Sequence, residues 1–336
     1  MKIQRIAYSD FLRMFGPIPR KLSGEIKGRL ESVNTEYRES KPEELEEYIQ
    51  YVLKLIESPS ITRSESENYK AWEEGWSEHL RSVRANSISM KGLKPKYFRP
   101  SKFFRYNKKL IITKNRHLEY DLFSVVRYFL FSKYLSGSER IYELGCGSCQ
   151  NLLILAEMFP LKTLYGMDWS KASIRIANLL GERCKGKINE GSGSFPTPHE
   201  PSGKNKKKNS PRAQINGILL DMLNPSKKVK IEHKSAIVTI HSLEQLGANF
   251  KKILHFIMRS KPSIVLHYEP IMEFYDQGDM LDYLAHIYCR KRRYLYGFLP
   301  MLLEMEKKKK IKILECRRPF LGGIIHEMSV VIWKPL

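Results

Sequence analysis

The stretch IYELGCGSCQ, residues 141–150, decides how the chain is read. An apolar run meets an acid at Glu143 and turns through Gly145 and Gly147, with cysteines at 146 and 149. Two chemistries use such a pattern. Cys146-x-x-Cys149 has the spacing of half a zinc or redox site. A glycine turn, in contrast, lets the backbone approach a ligand with no Cβ in the way. A helix starting near Gln150 would point its N-terminus at the same spot. A zinc site needs a second Cys/His pair at ligand spacing, and Cys184, Cys289 and Cys316 stand alone. No metal is therefore expected, and the cysteines read as small packed side chains. Five thiols, an odd number in a long chain, also argue against a disulfide framework and for a reducing, cytoplasmic setting.

Outward from this stretch, apolar strands alternate with helices. IYELGCG is a strand and NLLILAEMF (151–159) a helix. KTLYGMDWS (162–170) is a strand ending at Asp168, and KASIRIANLLGERC (171–184) a helix. QINGILLDML (214–223) ends at Asp221. SAIVTIHSLEQLG (235–247) ends at His241, FKKILHFIMRS (250–260) is a helix, and PSIVLHYEP (262–270) ends in His267 and Glu269. IKILECRRP (311–319) and HEMSVVIWKP (326–335) are two further strands. The short PFLGG between them suggests a hairpin, so one of the two runs antiparallel. The alternation predicts a doubly wound, seven-stranded, mostly parallel α/β sheet. Residues 185–214 are rich in Gly, Ser, Pro and Lys, lack apolar periodicity, and read as a flexible basic insertion.

Residues 1–115 read as a mainly helical region, followed by the α/β domain over 116–336. SKPEELEEYIQYVLKLIES (40–58) opens with a capping box, Ser40 capping and Glu43 reaching back. In SESENYKAWEEGWSEHLRSV (64–83), Tyr69, Trp72, Trp76 and Leu80 share one helix face and read as core or as a seam between regions. No stretch reaches the roughly 20 apolar residues of a membrane helix, and the first residues lack a signal-peptide pattern. The formal charge of +22 calls for an anionic partner. Its basic runs, including RKRR at 290–293, are dispersed and carry no nucleic-acid-binding motif, which makes nucleic acid the weaker partner class.

In such sheets ligands bind beyond the carboxyl ends of the strands, near the switch point. Asp168 follows the glycine turn by about twenty residues, where a ribose-binding acid belongs. Asp221 ends the next strand. At these residues the chain resembles the class I S-adenosylmethionine-dependent methyltransferases, whose first motif E-L-G-C-G-S matches at Glu143, Gly145 and Gly147. The family's usual third glycine is replaced by Cys149. The resemblance implies a Rossmann-like fold over roughly 120–336 with S-adenosyl-L-methionine as cofactor. It implies that Glu143 and the Gly145–Cys146–Gly147 backbone hold the methionine part, and that Asp168 takes both ribose hydroxyls. Trp169 and Ser170 would lie by the nucleoside, Asp221 at the adenine amino group, Met222 beside the ring, and His241 at the cofactor's far side. A dehydrogenase is the competing nucleotide reading; it expects G-x-G-x-x-G, and Gln150 stands where the last glycine would be.

Methyl transfer to a hydroxyl needs a base, because such a proton is not lost near neutral pH. His241 and His267 end the fourth and fifth strands, so either is the candidate base, with Glu244 or Glu269 to orient it. The fourth strand carries H-S-L-E in place of the [D/N]-P-P-[Y/F] of amide and exocyclic-amine methyltransferases, which disfavours that chemistry. H-S-L-E-Q, H-Y-E-P, V-I-W-K-P and W-E-E-G-W together are similar to bacterial sugar O-methyltransferases of surface-polysaccharide and lipopolysaccharide assembly. That resemblance implies a nucleotide- or lipid-linked sugar as acceptor. The N-terminal region would cap the site or carry a homodimer contact. The basic clusters would steer the acceptor or meet an anionic membrane surface. The alternatives are a methyltransferase acting on RNA or protein and a non-catalytic binding protein on the same fold.

Overall fold

The computed structural model describes residues 2–18, 20–62, 65–85, 88–185 and 213–336. The basic insertion expected at 185–214 falls almost wholly outside them. In chain order the first elements are β1 (Gln4–Arg5), α1 (Tyr8–Phe15), α2 (Arg20–Glu31), β2 (Glu36–Glu39), α3 (Pro42–Glu57), α4 (Glu65–Ala85), β3 (Phe103–Tyr106), β4 (Lys109–Thr113) and α5 (Leu118–Tyr134). Then follow β5 (Arg140–Leu144), α6 (Gln150–Met158), β6 (Thr163–Asp168), α7 (Lys171–Cys184), β7 (Gln214–Leu219), β8 (Ser235–Ile240), α8 (Lys251–Ser260) and β9 (Ile264–Glu269). The last are α9 (Met280–Lys291), α10 (Phe298–Lys307), β10 (Ile311–Arg317), β11 (Leu321–Gly322) and β12 (Ser329–Pro335).

The main sheet has seven strands in the order β10-β12-β9-β8-β5-β6-β7. β5 through β9 run parallel. β12 is the antiparallel strand, wedged between β9 and β10. This is the doubly wound, mostly parallel sheet expected from the alternation. Parallel central strands are covered on both faces, so they read as continuous apolar runs; every residue of Ser235–Ile240 is buried. Alternate side chains feed two cores. Ile141, Val238, Leu266, Val330 and Ile332 pack toward α5, α6 and α7. Tyr142, Ile237, Val265, Val331 and Trp333 pack toward α8 and α10. The winding direction reverses between β5 and β8, which opens a crevice at their carboxyl ends.

The N-terminal region carries the four helices α1 to α4, and it also holds strands that the sequence pattern did not announce. It contributes four strands to a small antiparallel sheet, order β1-β2-β4-β3-β11. These strands are two to five residues long, and β2 reads EYRE. Their brevity, and in β1 and β2 their charge, erase the apolar alternation that marks a strand. The PFLGG connection is likewise more than a hairpin, because β11 inside it pairs with β3. α3 begins one residue later than expected: Lys41 is the N-cap, and the Glu44 carboxylate accepts from the Lys41 backbone N–H at 2.9 Å. Pro42 then occupies the first helical position, where its missing N–H costs nothing.

A buried ionic cluster ties the two sheets together. Arg105 of β3 donates to Asp282 of α9 and, at 3.1 Å, to Glu327 ahead of β12. Arg318 donates to the same two carboxylates, reaching Glu327 at 3.0 Å through Nε. All four side chains are almost fully enclosed. Among the described residues no helix is long and apolar enough to cross a membrane.

Candidate active site

The β5–α6 turn sits at the crevice. Gly145 and Gly147 adopt φ of 73° and 48°, left-handed values that glycine takes without strain. Space forbids larger residues as well. A Cβ on Gly145 would lie 2.4 Å from the Ser242 Cβ, and one on Gly147 would lie 2.8 Å from the Trp76 ring. Cys149 also takes a left-handed φ, 62°, at the start of α6. It adopts the conformation that a third glycine would have supplied freely. The Cys146 and Cys149 sulfurs lie 3.7 Å apart in the core. Their mutual hydrogen bond and burial hold the Cys146 thiol well above its ordinary range, and burial raises Cys149.

A cavity of about 960 Å3 opens at this turn. Its lining includes Gly145, Gly147, Asp168, Trp169, Asp221, Met222 and His241. A side pocket of about 50 Å3 shares the glycines and His241 and adds Glu143 and Cys146. Glu143 is 1% exposed. Its Oε1 accepts from the Asn151 amide at 2.6 Å, whereas Oε2 is a buried acceptor with no partner. Burial pushes this carboxyl up to about 8. Asp168 accepts from the Gly147 N–H and the Ser170 N–H, both at 2.9 Å, and so braces the turn. Burial lifts it to about 6. Asp221 lies two residues past the end of β7 and accepts from the Tyr69 hydroxyl at 3.2 Å and the Leu223 N–H at 2.8 Å. Trp169 packs against Tyr69, ring centres 4.3 Å apart.

The two candidate bases have different fates, and strand register gives the reason. Thr239 of β8 pairs with His267 of β9, so His267 lies two residues deeper than the end of β9 at Glu269. It is fully enclosed, with Nδ1 2.8 Å from the Thr239 hydroxyl and Nε2 accepting from the Trp333 indole at 2.9 Å. Burial holds its ring at about 3. Both nitrogens are committed and neither reaches the cavity, so the expectation of His267 as base is corrected. Glu269 also differs from expectation. Its carboxylate accepts from the Ser242, Leu243 and Glu244 backbone N–H groups at 3.0–3.3 Å. It therefore anchors the loop after β8 and does not orient a histidine. Burial and the nearby Glu244 raise it to about 7.

His241 begins that loop with φ of 52°, just beyond β8, and it lines both cavities. Its Nδ1 lies 3.2 Å from Glu244 Oε2, which leaves Nε2 as the available nitrogen. Burial alone would lower its pKa; Glu244, Glu269 and Glu119 more than offset this and hold it above the ordinary value. Ser170 does not join the cavity as expected. It is fully buried and its hydroxyl caps α7, accepting from the Ser173 N–H at 3.2 Å.

Sequence reasoning left several wall residues unassigned. Trp72 and Trp76 of α4 stack 5.5 Å apart and line the cavity beside Tyr69. The seam they mark therefore runs over the glycine turn itself. The aromatic spacing of four gave the shared face; nothing in it named Gly147 as the surface beneath. The opposite wall comes from the end of α9 and the following loop, with His286, Arg290 to Arg293, Tyr294 and Tyr296.

A scan of protein-family models finds none that matches this chain, and no curated protein matches it either. Solved structures do match at low identity. The plantazolicin methyltransferase BpumL in complex with SAH is 16% identical, with a TM-score of 0.42 over 80% of this chain and 98% of its own. The magnesium protoporphyrin IX methyltransferase of Synechocystis PCC 6803 with bound SAH is 11% identical, with a TM-score of 0.41 over 65% and 83%. The [4+2]-cyclase SpnF is 13% identical, with a TM-score of 0.41 over 62% and 79%. These are likenesses of fold alone.

Proposed function

We propose that this chain is an S-adenosylmethionine-dependent methyltransferase that modifies a hydroxyl of a small acceptor, with His241 as the base. One observation carries the proposal. A single cavity runs from the glycine turn, past Asp168 and Asp221, to a histidine whose partner nitrogen is already held by a carboxylate. The residues suit that cofactor. Glu143 offers a buried, unpartnered carboxylate oxygen to an ammonium group. The Asp168 oxygens each keep a lone pair beyond their backbone donors and suit ribose hydroxyls. Trp169 and Met222 flank the place for a flat base. When bound, the cofactor supplies an electrophilic methyl group on a sulfonium and leaves as a neutral thioether.

The chain's own work is orientation and proton removal. Glu244 holds His241 through Nδ1, so that Nε2 accepts the hydroxyl proton as the oxygen becomes bonded to carbon. Glu269 fixes the loop that carries both residues. Trp72 and Trp76 cover the glycine turn and limit water there. The acceptor we favour is a sugar of surface-polysaccharide assembly. The short motifs H-S-L-E-Q, H-Y-E-P and W-E-E-G-W support it, and Trp72 and Tyr296 on the cavity wall supply flat apolar faces suited to a sugar ring. Peripheral contact of the basic surface with an anionic membrane belongs to the same proposal.

Isothermal titration with S-adenosylmethionine tests the reading, with Asp168→Ala as the control. Micromolar binding that the variant loses supports it; absence of binding to the folded wild-type chain overturns it. Methyl transfer from labelled cofactor to nucleotide sugars should then fall by about 10²–10⁴ in His241→Ala.

A further inference from the structure

The wall across the cavity carries a run of positive charge that no described carboxylate of the fold pairs. Arg290, Lys291, Arg292 and Arg293 all line the cavity. Among the described residues none of the four has a carboxylate within ion-pair distance, although other basic residues, such as Arg38 with Glu44, do. The C-terminus of α9 attracts cations, but a helix end supplies only about half an elementary charge. Four charges on consecutive residues exceed that.

The wall is also held in place. The Arg292, Arg293 and Tyr294 N–H groups close on Tyr288, Arg290 and Cys289 carbonyls at 2.9–3.0 Å, and the Tyr296 N–H reaches Gly247. α9 is itself pinned through Asp282 to the buried ionic cluster. The Arg292 guanidinium lies 5.3 Å from the Tyr294 ring centre. Two buried nitrogens on this wall, Arg292 Nε and His286 Nδ1, have no hydrogen-bond partner. Unpaired buried polar atoms are costly in a native fold, and a ligand or an ordered water would satisfy them.

We infer that this wall seats a phosphate or pyrophosphate group of the acceptor, with Arg290, Arg292 and Arg293 as its main donors and His286 beside them. Forked guanidinium groups match tetrahedral oxyanions, and several positive charges suit a multiply charged group better than one carboxylate. The cavity, near the top of the roughly 300–1,000 Å3 span of small-molecule sites, extends from this wall to the glycine turn. A phosphate held here would keep a linked sugar between the arginines and His241. The word acceptor rests on the methyltransferase reading; the anion seat rests on the wall itself.

The test is titration of the full chain with inorganic pyrophosphate and, separately, with S-adenosylmethionine. Arg290 and Arg293 are exposed, so Arg290→Gln/Arg293→Gln keeps the fold, which circular dichroism checks. The double variant should bind pyrophosphate at least about tenfold more weakly, with cofactor affinity within about twofold of wild type. Wild-type chain that binds cofactor but not pyrophosphate, or a variant that binds pyrophosphate undiminished, overturns the seat and leaves the methyltransferase reading standing. Pyrophosphate binding lost in the variant, without any cofactor binding, does the reverse. Tighter binding of UDP than of pyrophosphate assigns a nucleotide-linked source. Tighter binding of a prenyl diphosphate, lost in the variant, assigns a lipid-linked one.

Discussion

At the level of single residues, turnover depends on the His241–Glu244 pair. The base must be neutral, so kcat/KM should rise with pH as His241 loses its proton. Carboxylates from three elements face that ring, Glu244, Glu269 and Glu119, and the acid limb should lie above the ordinary imidazole value of 6.5. Glu244→Gln removes the strongest of these influences. Its limb should move to lower pH while kcat falls, and a pH–rate profile of both proteins reads the shift. Glu143 makes a second prediction. At about 8, its carboxyl is mostly protonated at neutral pH. Binding of an ammonium group requires the ionised form, so cofactor binding should release a proton, and affinity should rise with pH and level off above about 8. Titration in buffers of different ionisation enthalpy measures that proton, which Glu143→Gln should abolish. Glu143, Asp168 and Asp221 were legible because each stands at or just past a strand end fixed by apolar periodicity. His267 was misread because periodicity locates a strand end only to within a residue or two, and two residues separate a cavity wall from the interior of the sheet.

Among elements, the contact between α4 and the β5–α6 turn is the decisive one. Gly147→Ala meets both a left-handed φ and the Trp76 ring, and it should lose cofactor binding by about 2 kcal/mol or more. Trp76→Ala removes the steric part only. A double-mutant cycle, read by titration, should therefore show Gly147→Ala to be less damaging in the Trp76→Ala background. Additive losses would mean that α4 and the turn act independently. The sequence announced α4 by its aromatic spacing and the turn by its glycines, but their meeting is tertiary and had no local mark. β1 to β4 escaped notice for a different reason: a strand of two to five residues is too short for alternation to be counted.

Across the whole molecule, the buried ionic cluster is the brace between the two sheets. Removing one member strands a charge away from water, at a cost of about 3–5 kcal/mol. Arg105→Gln should thus lower the unfolding midpoint sharply, with a loss of that size in chemical denaturation. Arg105→Gln/Glu327→Gln should recover part of it, because the stranded charge is removed as well. The doubly wound sheet was readable in advance from alternation alone. The brace was not, since its four residues are spread from position 105 to position 327 and tertiary contacts such as the pairing of β11 with β3 bring them together. Strand β12 has a further bearing, on how the protein is made. Residues 140–269 are synthesised before it, and with them the glycine turn, Asp168, Asp221 and the His241 loop. Until residues 329–335 emerge, β9 has no neighbour on its outer side, and the Trp333 indole is not there to bond His267. An open strand edge of this kind invites pairing with another chain. The growing polypeptide therefore carries a nearly complete site with an unprotected flank, and its yield in a cell should depend on how quickly the final strand arrives or on what shields β9 in the meantime.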